Sequence, residues 1–129
     1  MLSYLWREYM NDKPKFQAYS YDGKATYFEE FLDSIPNKDA IKLLQVIHNI
    51  EELGMLVAMQ QKWVKRLDDD IFEIRSKVAS NIQRALYFQK VNQEYVITHG
   101  FTKKTQKTPK KEIERAHKIM DKYFNEEEI

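Results

Sequence analysis

Residues 71–102 read IFEIRSKVASNIQRALYFQKVNQEYVITHGFT. Ile71 to Lys77 alternates apolar and polar side chains with period two, as a half-buried strand does. Ala79-Ser80-Asn81 makes a connection. Ile82 to Val91 is a longer strand, Asn92-Gln93 a tight turn, and Glu94 to Thr102 the returning strand of a hairpin. Upstream, Trp63 to Leu67 is a further short strand, closed by the solvated turn Asp68-Asp69-Asp70. Residues 63–102 therefore form an antiparallel β-meander.

Working outward, helical spacing replaces alternation on both sides. Lys15 to Tyr21 alternates as a first strand and Asp22-Gly23 is a turn signal. Thr26 with Glu29 has the spacing of a capping box, and Phe28, Phe31 and Leu32 give the helix after it an apolar face. Pro36 ends that segment. Asn37 is placed to cap a longer helix to Leu53, with Ala40, Ile41, Leu44, Ile47 and Ile50 at helical spacing and Gly54 beyond its end. Residues 55–62 read as a linking loop or short strand. On the C-terminal side, Thr108-Pro109 opens a helix whose stripe is Ile113, Ala116, Met120 and Tyr123. The order predicts an α+β fold, two N-terminal helices and a C-terminal helix packed on one face of a twisted antiparallel sheet of about four to five strands. The expected organisation is a leader over residues 1–14, one domain over 15–125 and a frayed acidic tail over 126–129. In the leader, Tyr4, Leu5, Trp6, Tyr9 and Met10 would form an apolar stripe if helical.

The chain has 129 residues and 43% hydrophobic side chains, enough for one domain with a core of its own. Cysteine is absent, which excludes disulfides, thiolate metal sites and cysteine nucleophiles. No apolar run approaches the roughly 20 residues of a membrane span. The stretch Met1 to Glu8 lacks a basic region followed by an apolar one. A cytoplasmic protein is expected. The net charge of +1 hides a segregation: residues 61–118 carry 14 Lys and Arg against 7 Asp and Glu, whereas residues 1–60 carry 6 against 9. A basic second half suggests a polyanion-facing surface or, equally, a solvated charged face.

Alternation puts Glu73, Arg75 and Lys77 on the outward side of their strand, opposite Phe72 and Ile74. Arg84 lies inside the next strand, an awkward place for a cation unless a polar groove adjoins it. On the return strand Tyr95, Ile97, His99, Phe101 and Lys103 are expected on one side, with Lys104 and Lys107 following in the loop. Lysine and arginine can hold phosphates while rings such as Phe101 stack on splayed bases of single-stranded RNA. Lys65, Arg66, Lys77, Lys104 and Lys107 are the backbone-binding candidates. Such a surface can also cut RNA without metal, given a base for the ribose 2′-OH, cations for the phosphate and a proton for the leaving oxygen. Glu73, His99 or a lysine whose pKa is lowered by neighbouring cations could be the base. Arg75 and Arg84 suit phosphate stabilisation, because guanidinium stays charged and grips bidentately. Plainer readings stand beside these. Glu73 and Arg75 can form a surface ion pair. His99, His48 and His117 can be structural. The 103–111 lysine run can be a solvated loop. No cofactor or metal is implied.

Several ordered segments resemble the phage-derived branch of the HigB-like toxins within the RelE superfamily. They are Phe31-Leu32-Asp33-Ser34-Ile35-Pro36, Lys65 to Arg75, Arg84-Ala85-Leu86-Tyr87-Phe88, His99 to Pro109, and Glu112-Ile113-Glu114-Arg115-Ala116. The likeness runs from Phe16 to Tyr123. It implies a RelE-like fold and mRNA cleavage by 2′-OH attack, commonly on the ribosome. It also implies neutralisation by a HigA-like helix-turn-helix antitoxin, through which alone operator DNA would be bound, and no membrane role. Carried over, Arg75 and Arg84 match the family's strand arginines and Lys103, Lys104 and Lys107 its basic loop. The superfamily often has lysine near Glu73, so the general base stays open. The departures Ala85 and Leu86 are conservative in character.

Overall fold

The computed structural model describes residues 13–127. The leader's apolar stripe from Tyr4 to Met10 lies outside the described residues. Strand β1 (Lys15–Ala18) is followed by helices α1 (Tyr27–Ser34), α2 (Asn37–Leu53) and α3 (Met55–Gln60). Strands β2 (Val64–Arg66), β3 (Phe72–Val78), β4 (Asn81–Val91) and β5 (Glu94–Lys103) then lead to helix α4 (Lys110–Glu127). The five strands form one sheet in the order β1-β5-β4-β3-β2.

The meander pairs antiparallel throughout, as its turn signals require, but β1 runs parallel to β5, so the sheet is mixed rather than antiparallel. The three-helix passage between β1 and the meander carries the chain across the sheet, and that permits the parallel pairing. The Thr26 hydroxyl accepts from the Glu29 amide at 2.9 Å and starts α1. Pro36, rather than Asn37, precedes α2: its carbonyl accepts from the amides of Asp39 and Ala40 at 3.0 and 3.1 Å. Gly54, at φ +91°, turns the chain straight into α3. A loop or strand was the expectation at 55–62. The run Met55-Leu56-Val57-Ala58-Met59-Gln60 is instead helical, tucking Ala58 into the core.

Helices lie on both faces of the sheet, which corrects the one-face expectation. Phe28, Leu43, Val46 and Ile50 of α1 and α2 pack on Ile74, Ala85, Tyr87 and Ile97. Ala116 and Ile119 of α4 pack on Ile71, Leu86, Phe88 and Val96, the alternate side chains of the same strands. α4 continues through Glu127, so residues 126 and 127, expected in a frayed tail, are helical. The Tyr19 hydroxyl donates to Glu126 at 3.3 Å.

One irregularity decides which side chains meet. Leu86 pairs with His99, but its neighbour Tyr87 pairs with Ile97, leaving Thr98 as an extra residue in β5. This bulge inverts the alternation. Tyr95 and Ile97 face α1 and α2, whereas His99, Phe101 and Lys103 face the α4 side. They do not all share one side, as unbroken alternation predicted.

Candidate functional site

Register gathers the basic side chains. Arg75 of β3 stands opposite Arg84 of β4, and Arg84 opposite Phe101 of β5. Lys65 of β2 stands opposite Glu73, and Lys103 opposite Ile82, on that same α4-side face. Arg66 pairs with Phe72 and so faces the other way; it donates to the Asp68 carbonyl and to Asp69 within its own turn. Arg66 is therefore not part of the cluster.

Glu73 is fully buried, not outward and solvated. The α4 start covers it: the Thr108 hydroxyl donates to Glu73 Oε1 at 2.9 Å. Its ionic partner is Arg84, whose Nε lies 3.3 Å from the same oxygen, and not Arg75. Arg84 is only 2% exposed. Burial lowers its pKa, the adjacent Glu73 carboxylate opposes the shift and Arg75 adds to it. Glu73 Oε2 and Arg84 Nε have no hydrogen-bond partner. The carboxylate is thus enclosed, where alternation predicted an outward, solvated position.

His99 is also sealed. The Thr98 hydroxyl donates to the Leu86 carbonyl, so its oxygen is free to accept from His99 Nδ1 at 2.9 Å. Nε2 lies 3.5 Å from Glu112 Oε1 without a hydrogen bond. Burial, with a smaller push from the Arg115 cation, takes its pKa down to about 3. His99 lies buried under α4, where these surroundings favour the neutral ring. His117, at the surface of α4, is 2.6 Å from Asp68 and pins the β2–β3 turn to the helix.

Lys103 is half-buried at the end of β5. Its ammonium is pushed below the usual lysine range, first by burial and then by Arg84; Arg75 and Lys65 add to the shift and Glu73 opposes it. It is thus the one candidate base that is both reachable and tuned by neighbouring cations. Phe101 is half-buried, tilted against the His99 ring at 6.2 Å, and packs on the α4 core. Lys104 and Lys107 are exposed in the loop between β5 and α4, where the Thr105 hydroxyl donates to the Lys107 carbonyl.

β2 pairs only with Phe72 to Ile74, and a groove of about 340 Å³ opens at the uncovered edge of β3, taking in residues from α2 and from both faces of the sheet. Lys42, Lys62, Arg75, Lys77 and Arg84 line it together with Trp63, Ser76 and Asn49, and among the described residues no carboxylate does. Ser76 Oγ is buried there without a hydrogen-bond partner. An anion is the ligand such a wall can hold: five cations converge and buried donors wait unpaired. Lys42, Lys62 and Trp63 were not foreseen. Lys42 is one lysine on an amphipathic helix, and Lys62 ends the segment expected to be a linking loop or short strand, so neither carries a local signal.

Comparison with known proteins places the chain among relatives. The family described as Phage derived protein Gp49-like matches residues 30–121, from α1 into α4. Proteins named Probable endoribonuclease HigB1 from two strains of Mycobacterium tuberculosis are each 34% identical over 102 residues, covering 79% of this chain and 77% of theirs. The matched region contains the whole meander, the Arg75–Arg84 pair and the lysine loop, and on that extent the chain belongs to the Gp49-like family of phage-derived proteins.

Proposed function

We propose that this chain is the toxin of a toxin–antitoxin pair, an endoribonuclease that cuts mRNA by 2′-OH attack on the adjacent phosphate. The observation that carries the reading is a groove lined by five cationic residues and, among the described residues, no carboxylate, together with Lys103, whose pKa is lowered by burial and by Arg84 and Arg75 of that groove. The name of the HigB1 relatives supports the same reaction class. Arg75 and Arg84 take up the charge that grows on the phosphate, where preorganised donors count most. Lys103, when neutral, removes the 2′-hydroxyl proton, and its ammonium, or that of Lys65, returns a proton to the leaving 5′-oxygen. The products are a 2′,3′-cyclic phosphate and a 5′-hydroxyl end. These cations supply the electrostatic work, so the reading needs no metal. Lys104 and Lys107 hold RNA or ribosomal backbone. Cleavage on translating ribosomes and neutralisation by a helix-turn-helix antitoxin complete the proposal; both rest on the family likeness.

One observation favours a second reading, a protein that occupies RNA or ribosomes without cutting: Glu73 and His99, the other candidate bases, are both enclosed. Brief induction followed by mapping of RNA ends separates the two. New 5′-hydroxyl ends that depend on translating ribosomes are expected. Growth arrest with no new ends would leave binding alone.

A further inference from the structure

Glu73, Arg84 and Thr108 come from three elements and are all buried. A carboxylate facing a guanidinium usually closes a two-pronged fork, with two parallel N–H···O bonds. Here that fork is not closed. Thr108 donates to Oε1 at 2.9 Å. Arg84 Nε lies 3.3 Å from that oxygen without meeting hydrogen-bond geometry, and Oε2 is left empty. The carboxylate is thus held off by the threonine, while Arg84 lines the groove.

We propose that Thr108 and Glu73 are positioning residues that aim the Arg84 guanidinium into the groove. The hydroxyl fixes one carboxylate oxygen, so Glu73 steadies Arg84 by charge without neutralising it in a closed fork. Without that hydroxyl, the carboxylate would turn onto Arg84 and draw the guanidinium away from the phosphate position. Position in the chain adds a consequence. Lys103 ends β5 and Thr108 precedes α4, so the lysine loop 104–107 is anchored at one end in the cation cluster and at the other on Glu73. RNA backbone gripping Lys104 and Lys107 would pull on the residue that orients Arg84. The inference rests on the endoribonuclease reading for its purpose, but not for its geometry.

The test compares wild type with Thr108→Val, which keeps the shape and removes the donor, and Thr108→Ser, which keeps the donor. Two measurements are made on the folded full-length chain, with thermal unfolding as the check on folding. The first is RNA cleavage in a translating extract, with rate and apparent KM separated. The second is hydrogen exchange and chemical shift of the Arg84 Nε–H by nitrogen-15 NMR. Thr108→Val should cut about ten-fold or more slowly at saturating RNA with little change in KM, the mark of a group that acts in the transition state. Thr108→Ser should restore most of the rate. The Arg84 resonance should move in the valine variant and return in the serine variant. An unchanged Arg84 signal in Thr108→Val overturns the proposal, and so does wild-type cleavage by that variant. If wild type itself cuts no RNA, the endoribonuclease reading fails, while the Arg84 signal still decides the positioning claim. Should the valine variant not fold, Glu73→Gln gives the same contrast, since it keeps the volume and removes the charge that steadies Arg84.

Discussion

Gln83 and Arg84 are neighbours on β4, and each is buried in a polar cluster, on opposite faces of the sheet. On the α2 face, the Gln83 amide donates to Asp39 Oδ2 at 2.8 Å and its carbonyl accepts from the Thr102 hydroxyl at 2.8 Å. Both ends of the glutamine are satisfied. On the α4 face, Arg84 Nε and Glu73 Oε2 are not. The bonds of Gln83 to Asp39 and Thr102 tie α2 to the meander, although Ser76, opposite Gln83 on that face, keeps a buried hydroxyl without a partner. Buried donors and acceptors left open cost stability and persist where something else uses them. The difference between adjacent residues is that Gln83 completes its own hydrogen bonds, whereas Arg84 and its partner Glu73 each leave an atom open.

The sharpest way to break the comparison is to delete one member on each side. Arg84→Ala should abolish growth arrest, with cleavage lowered about 100-fold or more. It also strands the Glu73 carboxylate, a loss of about 3–5 kcal/mol in denaturant unfolding. Pairing Arg84→Met with Glu73→Gln should recover most of that stability and none of the cleavage. Asp39→Ala strands the Gln83 amide and should cost about 1–3 kcal/mol. Cleavage per folded molecule should not change with it. If Asp39→Ala cuts as poorly as Arg84→Ala, the division between the two clusters is wrong.

His99 extends the contrast to acid. Its folded pKa of about 3 lies below the ordinary 6.5, so the fold favours the neutral ring. Above the ordinary value this contribution is fully present. As pH falls from about 6.5 toward 3, the unfolded chain takes up a proton that the fold refuses, and stability drops. A shift of that size corresponds to at most roughly 4–5 kcal/mol. His99→Leu should flatten this acid slope between pH 6.5 and 4 and leave neutral-pH cleavage within about two-fold, as expected of a residue outside the chemistry. A slope that survives the substitution would assign acid sensitivity elsewhere, and a loss of cleavage would return His99 to the candidate bases.

What could be read beforehand follows from what is local. Period-two alternation placed β3, β4 and β5 to within a residue or two, and Thr26 with Glu29 marked the start of α1. Arg84 is recognisable because a charge among the apolar positions of a strand is conspicuous, and Arg75 because alternation sets it with Glu73 and Lys77 on the polar side of β3. The apolar run at 55–60 is too short for its period to distinguish helix from strand. The extra residue at Thr98 has no sequence mark, yet it sends His99 and Lys103 to the face opposite Ile97. Likewise, nothing within β3 announces that α4 will close over Glu73 and leave Arg75 half-exposed. Long-range covering buries both Glu73 and His99, two of the candidate bases.

The smallest effect tests the tuning of Lys103. Burial and Arg84 do most of the lowering, and Arg75 contributes less. If neutral Lys103 is the base, the cleavage rate rises with pH until that lysine has lost its proton. Arg75→Gln removes one cation that disfavours the protonated form, so the lysine pKa rises and the ascending limb moves to higher pH. Arg75 is partly exposed and screened by water and salt, so the displacement should be small and should shrink as ionic strength rises. The substitution also removes a phosphate contact, so the height of the profile falls as well; the position of the limb is the informative quantity. Asp39→Ala, on the other face, should not move it. A limb that stays in place in Arg75→Gln at low salt would detach Lys103 from the cation cluster, and the proton would then have to leave the ribose by another route.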